Sequence, residues 1–489
     1  MCGGVAEANI RKTGYYCVYS RPQRIAIRPI PVIQIDATLM PASLRQAIDR
    51  LWDRSAVKID RLAASFDVSR GAPVFTVRGR YTARGWTEWT QGFQFGSELL
   101  QFDATGDARF LDRGRRHTVE HMASHITHIG VHDHGFNNVS TYGTLLRLMA
   151  EGRIPENLWE RRFYTLALQC SGAVQAARWT ALPETGGYIY SFNGPHSLFS
   201  DTVRSIRALS LGHRLGHALM GENDTRISLL ERAVGHLRST TRYNVYFGEG
   251  RDVYDVPGRV AHESIFNLND QRYRCPSTQQ GYSPFSTWTR GLAWIVLGYA
   301  EQLEFFASLD DDALSPIGDR ADIETLLRRT ARATADFYIA HTPSCGVPYW
   351  DTGAPGLAHL GDYLSRPADP FNAYEPVDSS AAAIAAQGLL RLGVYLDGQQ
   401  PGSGRSYTQA GLTVLHTLLS PPYASEDPAH EGLLLHAVYH RPNGWDYAPD
   451  SDGVPRGESC MWGDYHLREL ALYVQRLADG GPYLTFFRI

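Results

Sequence analysis

Two aspartates and one arginine-centred segment are the residues of this 489-residue chain whose types and spacing could do chemistry. Asp133 lies in Val131-His-Asp-His-Gly-Phe136, and Asp201 closes His196-Ser-Leu-Phe-Ser-Asp201. Each stands where an apolar helical pattern begins. Two carboxylates in one cleft are the usual equipment for acid–base work on a sugar. Aspartate is also a favoured helix N-cap, so either one alone reads equally well as a cap. The segment Gln280-Gly-Tyr-Ser-Pro-Phe-Ser-Thr-Trp-Thr-Arg-Gly-Leu-Ala-Trp294 sets Arg290 between Trp288 and Trp294. Arg290 and Trp294 are four apart and share a helical face, and the core-like run Ile295-Val296-Leu297 follows. An arginine facing a core is costly unless its donors meet a planar anion. The segment therefore points to a pocket for a carboxylate; a capped helix with a surface arginine is the alternative. His262, in Val260-Ala-His-Glu-Ser264, falls 18 residues before Gln280. By themselves these two are a loop histidine and a turn residue.

A row of histidines offers a different chemistry. His117, His121, His125 and His128 recur at helical spacing, and His132 and His134 follow. Steps of four on a helix can hold a divalent metal. No H-E-x-x-H or C-x-x-C motif accompanies the row, so it reads as a mixed polar face, with no metal and no cofactor expected. The chain also has no P-loop, no G-x-G-x-x-G after a strand and no G-x-S-x-G elbow.

The elements that must position these residues are helices. Periodicity predicts about twelve: 42–67, 92–104, 111–127, 135–151, 157–177, 198–217, 224–242, 284–306, 319–340, 377–395, 405–419 and 461–477. Strand signals are few, such as Val74–Val77 and Tyr188–Tyr190. The even-numbered helices begin with aromatic, Gly or acidic clusters and continue with small residues, as in Ser379-Ser-Ala-Ala-Ala-Ile-Ala-Ala386. The odd ones are amphipathic. Six inner and six outer helices describe an all-α (α/α)6 barrel. The inner N-termini would converge at one end, bringing Asp133 and Asp201 together where helix dipoles favour anions. The long connections 243–283, 341–376 and 420–460 would wall that same end. Residues 1–40, with Pro22, Pro29, Pro31 and Pro41, read as an extended arm, and 41–489 as one catalytic domain.

Bulk composition narrows the function. A net charge of −4 without a basic stripe argues against nucleic acid and anionic membranes as partners. No run of 18 apolar residues is present, so no membrane span is expected. The six cysteines show no C-x-x-C spacing, and the N-terminus has no signal-peptide pattern; reduced thiols in a cytoplasm are expected. Ten Trp and 26 Tyr suit a protein that stacks sugar rings.

Taken together the motifs resemble the unsaturated glucuronyl hydrolases, glycoside hydrolase family 88, from about residue 42 onward. The pieces that carry the likeness are Lys58-Ile-Asp-Arg-Leu62, Trp89-Thr-Gln-Gly-Phe93, Ala104-Thr-Gly-Asp-Ala-Arg-Phe110 and His132-Asp-His-Gly-Phe136. Further on come Gln280-Gly-Tyr-Ser283 with Trp288-Thr-Arg-Gly-Leu-Ala-Trp294, Val347-Pro-Tyr-Trp-Asp351, Asp378-Ser-Ser-Ala-Ala-Ala-Ile-Ala-Ala386 and Trp462-Gly-Asp-Tyr465. The resemblance implies an (α/α)6 barrel acting on oligosaccharides that end in a 4,5-unsaturated uronic acid, the product of a polysaccharide lyase. It implies protonation of a vinyl ether rather than displacement at the anomeric carbon. Asp201 matches the general acid/base and Asp133 the second essential aspartate. His262 and Gln280 match substrate-contacting positions. Arg290 and Trp294, with Trp288 beside them, match the side that receives the uronate.

The chain also departs from the family pattern. Gln94 stands where Gly-Phe-Trp is usual, Phe192 where a tryptophan is common, and Pro284-Phe285 where an acidic pair is frequent. Gln94 and Phe192 are thus expected in the sugar site with weakened stacking. Another unsaturated uronide, such as a rhamnogalacturonan-type disaccharide, remains an alternative substrate. So does a non-catalytic carbohydrate-binding barrel as an alternative function. A monomer or homodimer is expected.

Overall fold

A computed structural model describes residues 33–84 and 88–489. Residues 1–32 of the expected arm, and Trp86, lie outside the described residues. The rest of the arm lies on the body: Ile33 N donates to Ile339 O, Gln34 N to Ser344 O and Asp36 N to Thr413 Oγ1.

Twelve helical segments match the twelve predicted periods. The odd ones are α1 (Arg45–Ser65), α3 (Ala108–His121), α5 (Leu158–Ala177), α7 (Leu229–Tyr243), α9 (Arg320–Ala340) and α11 (Arg405–Leu418). Each buries one stripe, as α1 does through Ile48, Leu51, Ile59 and Leu62. The even ones are α2 (Gln91–Thr105), α4 (His134–Asn138, a π turn Val139–Gly143, then Thr144–Ala150) and α6 (a 3₁₀ turn Asp201–Ser205, then Ile206–Arg214). They continue with α8 (Thr289–Ala307), α10 (Ser379–Gln399) and α12 (Met461–Ala478). These six are buried over most of their length, and each packs on the next until α12 closes on α2. The result is an (α/α)6 barrel.

Small residues let the inner ring close. A Cβ on Gly388 of α10 would lie 2.7 Å from the Leu297 backbone of α8, and one on Gly135 of α4 would lie 2.7 Å from Ser205 Cα. Polar caps start several helices: the Asn157 side chain accepts from Trp159 N and Glu160 N, and that of Asp378 from Ser380 N and Ala381 N.

Short strands brace the end where the inner helices begin. The hairpin β1 (Pro73–Val77) with β2 (Arg80–Ala83) pairs antiparallel, and Thr76 N donates to Ser459 O at the start of α12. A three-stranded antiparallel sheet joins β3 (Ser197–Phe199), β4 (Glu263–Asn267) and β5 (Arg272–Ser277). Asp201 follows β3 by two residues, His262 precedes β4, and Gln279 follows β5 by two. One small sheet therefore delivers three chain segments to the same place. Tyr188–Ile189, expected as a strand, pairs with Trp179–Thr180. No described helix is long and apolar enough to cross a membrane.

Candidate active site

The N-terminal ends of the inner helices surround a cleft of about 530 Å³. Its lining comes from five of the six. Trp89 precedes α2; His132, Asp133 and Phe136 open α4; Phe192 and Asp201 lead into α6. Gln279, Gln280, Trp288, Arg290 and Trp294 belong to the approach and first turns of α8, and Tyr439, His440 and Trp462 to the approach and start of α12. The connections 243–283 and 420–460 thus wall the cleft as expected. The connection 341–376 supports it from behind: Thr289 N donates to Trp350 O, and Trp288 pairs through its backbone with Asp351.

Asp133 and Asp201 face each other across His132. Its Nε2 is 3.7 Å from Asp133 Oδ1 and 3.7 Å from Asp201 Oδ1. Asp133 occupies an N-cap position without a side-chain capping hydrogen bond, and Asp201 is the first residue of a 3₁₀ turn. The two side chains are only 13% and 12% exposed. Burial pushes the Asp133 carboxyl up to about 8, with the negative charge of Asp201 adding to the rise. Burial likewise pushes Asp201 up to about 7, although its own and Thr202's backbone N–H groups and the charge of Arg290 pull the other way. Facing carboxyls of this kind titrate as a pair, so the pair keeps at least one proton at neutral pH. The arrangement can hand a proton to a bound molecule and take one back.

The other expected residues divide into those that line the cleft and those that support it. Trp288, Trp294, Gln280 and Phe192 line it. Trp294 stacks on Phe136 at 5.9 Å and 22° between planes, and Phe192 lies parallel to His132 within 6°. Trp89, Tyr439 and Trp462 form an aromatic cluster on another wall, with Trp89 and Trp462 centroids 5.1 Å apart. Such rings offer flat apolar faces to a sugar.

His262, expected among the substrate-contacting residues, lies behind the cleft wall. It is buried outside the cleft lining, between the rings of Phe199 and Trp288, and its Nδ1 accepts from the backbone N–H of Gln279 at 3.0 Å and of Gln280 at 3.4 Å. It fixes the turn that presents both glutamines.

Arg290 lines the cleft but does not present a free fork. Its Nη1 donates to Asp378 Oδ2 at 2.7 Å and to Val438 O, and its Nη2 to Tyr439 O at 2.6 Å and Gln280 Oε1 at 3.4 Å. The expectation of a planar anion was sound, but the anion is the protein's own. Asp378 caps α10 and neutralises Arg290, which ties the starts of α8 and α10 to the wall at 438–439.

Gln94 lies elsewhere. It borders a separate cavity with Lys58, Tyr81, Glu98, Asp464 and Arg468. Its neighbour Phe93 takes the central face of α2 against Phe136, Tyr465 and His466, and one residue along a helix turns Gln94 toward α1 and α12. Its position therefore cannot weaken stacking in the cleft.

The histidine row breaks up in three dimensions. His117 Nδ1 meets Glu98 Oε2 at 3.1 Å, and His121 packs on Phe95. His134 contacts His125 through Nδ1 and His128 through Nε2, while His125 Nε2 meets Gln91 Oε1. The chain turns out of α3 at Met122, so the six rings do not share one face. Among the described residues no group of His, Cys, Asp and Glu is arranged to hold a metal ion.

Several cleft residues were not singled out from the sequence. His132 is visible in the row and in the motif around Asp133, but neither assigns it a place in the cleft. Gln279, Tyr439 and His440 carry no motif; only the length of the connections that hold them marked the region.

No family model matches the chain. It is 28% identical over 406 residues to the unsaturated glucuronyl hydrolase of Bacillus sp. strain GL1, covering 83% of this chain and 90% of that protein. The unsaturated glucuronyl hydrolase of Formosa agariphila is 24% identical over 392 residues, covering 80% of each. The crystal structure of the Bacillus sp. GL1 protein, described as responsible for degradation of glycosaminoglycan, superposes with a TM-score of 0.64 at 21% identity, over 88% of this chain and 96% of that one. The likeness first read from scattered motifs thus extends over most of the chain and over the barrel itself.

Proposed function

We propose that this chain is a glycoside hydrolase that releases a 4,5-unsaturated uronic acid from the non-reducing end of lyase-generated oligosaccharides. In this reading Asp201, protonated, gives its proton to C4 of the vinyl ether. Positive charge then spreads over C5 and the ring oxygen, and the carboxylate that Asp201 has become, beside the still protonated Asp133, stabilises it. Water adds at C5, and its released proton returns to Asp201. The resulting hemiketal rearranges to an open-chain keto acid and the shortened sugar. Trp288, Trp294 and Phe192 hold the rings, Gln279 and Gln280 offer amides, and Arg290 contributes charge near the uronate rather than a free bidentate fork.

The observation that carries this reading is the pair itself. Carbon protonation needs a carboxylic acid that is still un-ionised near neutral pH, and burial holds Asp201 up to about 7 in a cleft walled by aromatic rings. Four described cysteines, Cys170, Cys275, Cys345 and Cys460, are free, which fits a reducing cytoplasm. One hydrophobic core joins the helices from α1 to α12, which supports treating residues 41–489 as one catalytic domain.

The test follows the enol-ether ultraviolet absorbance of disaccharides made by lyases from glycosaminoglycan, pectin, gellan, xanthan and ulvan. The wild-type protein is expected to consume at least one of them. Asp201→Asn should lose at least about a hundredfold in turnover, the contribution of one acid–base group, while keeping its circular dichroism. Unchanged turnover in that variant would remove Asp201 from the reaction.

A further inference from the structure

His132 joins the two aspartates without being charged itself. The ring is 1% exposed, its plane follows Phe192, and its face meets the edge of Phe199. Its backbone is pinned as well: His132 O accepts from Ser205 Oγ and from Gly135 N. Neither ring nitrogen has a hydrogen-bond partner among the described residues, and neither does Asp201 Oδ1, the atom that Nε2 faces. The charged or titratable groups around the ring are Asp133 beside it, Asp201 on α6, Arg178 after α5, His236 on α7 and His262 before β4. Burial above all, then the charge of Arg178 and the two other histidines, keeps the ring neutral. A neutral imidazole has one N–H. If Nε2 carried a lone pair, it would face an ionised carboxylate whenever either aspartate lost its proton, so in that state the proton belongs on Nε2.

We propose that His132 is the positioning residue of the aspartate pair, its Nε2–H set midway between the two carboxyls, outside hydrogen-bond distance of both and within a small shift of donating to whichever ionises. The equal 3.7 Å separations are the basis of this assignment. A donor midway between two acids lets one of them ionise at lower pH than two facing carboxyls would allow, while the other keeps its proton. Under the hydrolase reading, on which this use of the proton rests, a charge appears on Asp201 when it protonates C4. The same N–H then meets that charge without a rotamer change.

The experiment compares His132→Phe, which keeps ring volume and the stack on Phe192, with His132→Gln, which restores an N–H near the Nε2 position. Carboxyl ionisation is read without substrate, by ¹³C spectra of aspartate-labelled protein assigned with Asp133→Asn and Asp201→Asn. In His132→Phe the first ionisation of the pair is expected to rise by about one pH unit or more, the effect of one hydrogen bond to a charged group. The acidic limb of kcat/KM should move with it, and His132→Gln should return both toward wild type. A first ionisation unmoved in His132→Phe, or equal shifts in both variants, overturns the proposal. If His132→Phe does not fold, ¹⁵N spectra of histidine-labelled wild-type protein decide instead: a neutral ring protonated at Nε2 from pH 5 to 9 supports the assignment, and a proton on Nδ1 or a titrating ring refutes it. Absence of turnover on every unsaturated oligosaccharide would sink the hydrolase reading and leave the ionisation result standing.

Discussion

Replacing Asp201 with asparagine should make the protein more stable at alkaline pH, and the size of the gain follows from the site. In the unfolded chain an aspartate ionises near 3.9. In the fold Asp201 ionises at about 7. Between these values the folded protein holds a proton that the unfolded chain has released, so stability falls as pH rises. The loss begins near pH 4 and is complete once the pH exceeds the folded value. The rise from 3.8 to about 7 corresponds to about 4 kcal/mol at about 1.4 kcal/mol per pH unit. With the side chain 12% exposed, solvent screening takes away little of this. Asp133, raised to about 8 partly by Asp201, carries a similar penalty, but the two are not additive because the charge of Asp201 is part of Asp133's cost.

The expected result is that Asp201→Asn matches wild type at pH 4 and exceeds it by about 2–4 kcal/mol at pH 9. Denaturant unfolding followed by tryptophan fluorescence at the two pH values measures this. The rest of the molecule titrates alike in both proteins and cancels in the difference. A gain independent of pH, or a loss at pH 9, would refute the claim that burial holds this carboxyl un-ionised. Asp133→Asn should behave in the same way. A stabilised but inactive Asp201→Asn would be the expected signature of a strained catalytic group.

Two further outcomes test the frame around the pair. Asp378→Asn leaves Arg290 buried without its counter-charge and should cost about 3–5 kcal/mol in denaturant unfolding, with kcat/KM falling although Asp378 does not line the cleft. Gly388→Ala pushes α10 off the Leu297 backbone and should cost about 1–3 kcal/mol, read as a lower unfolding midpoint.

What the sequence revealed depended on whether a residue's role was local or distant. The twelve helices were legible because burial of one stripe or of a whole helix is written directly into periodicity. The placement of Asp133 and Asp201 at one end followed from the alternation of inner and outer helices, which needs no contact information. Gln94 was misplaced because a helix turns 100° per residue, and a motif match one position from Phe93 says nothing of which face it takes. The row of histidines looked like one face only while the chain was read as one straight helix; the turn at Met122 ends that. Tyr439 and His440 were hidden in a connection whose course is set by tertiary contacts with Asp446 and Arg290 rather than by local pattern.

Arg290 shows the limit most clearly. A buried arginine must meet a planar anion, and the one it meets in the fold, Asp378, is 88 residues away in sequence and carries no local signal. On the hydrolase reading this changes how a uronate is recognised. A guanidinium whose two terminal nitrogens are engaged and whose charge is balanced by Asp378 offers a carboxylate neither paired hydrogen bonds nor a strong net field. Selectivity then falls to the walls: Gln279 and Gln280, whose turn His262 fixes, and Phe192, which stands in place of a larger indole. Phe192 also stacks on His132, so a change made there for the sake of the sugar acts on the aspartate pair as well. On that reading Phe192 would meet the substrate and His132 would set the proton, and because the two rings are in contact, substrate range and pH range should shift together when either is altered.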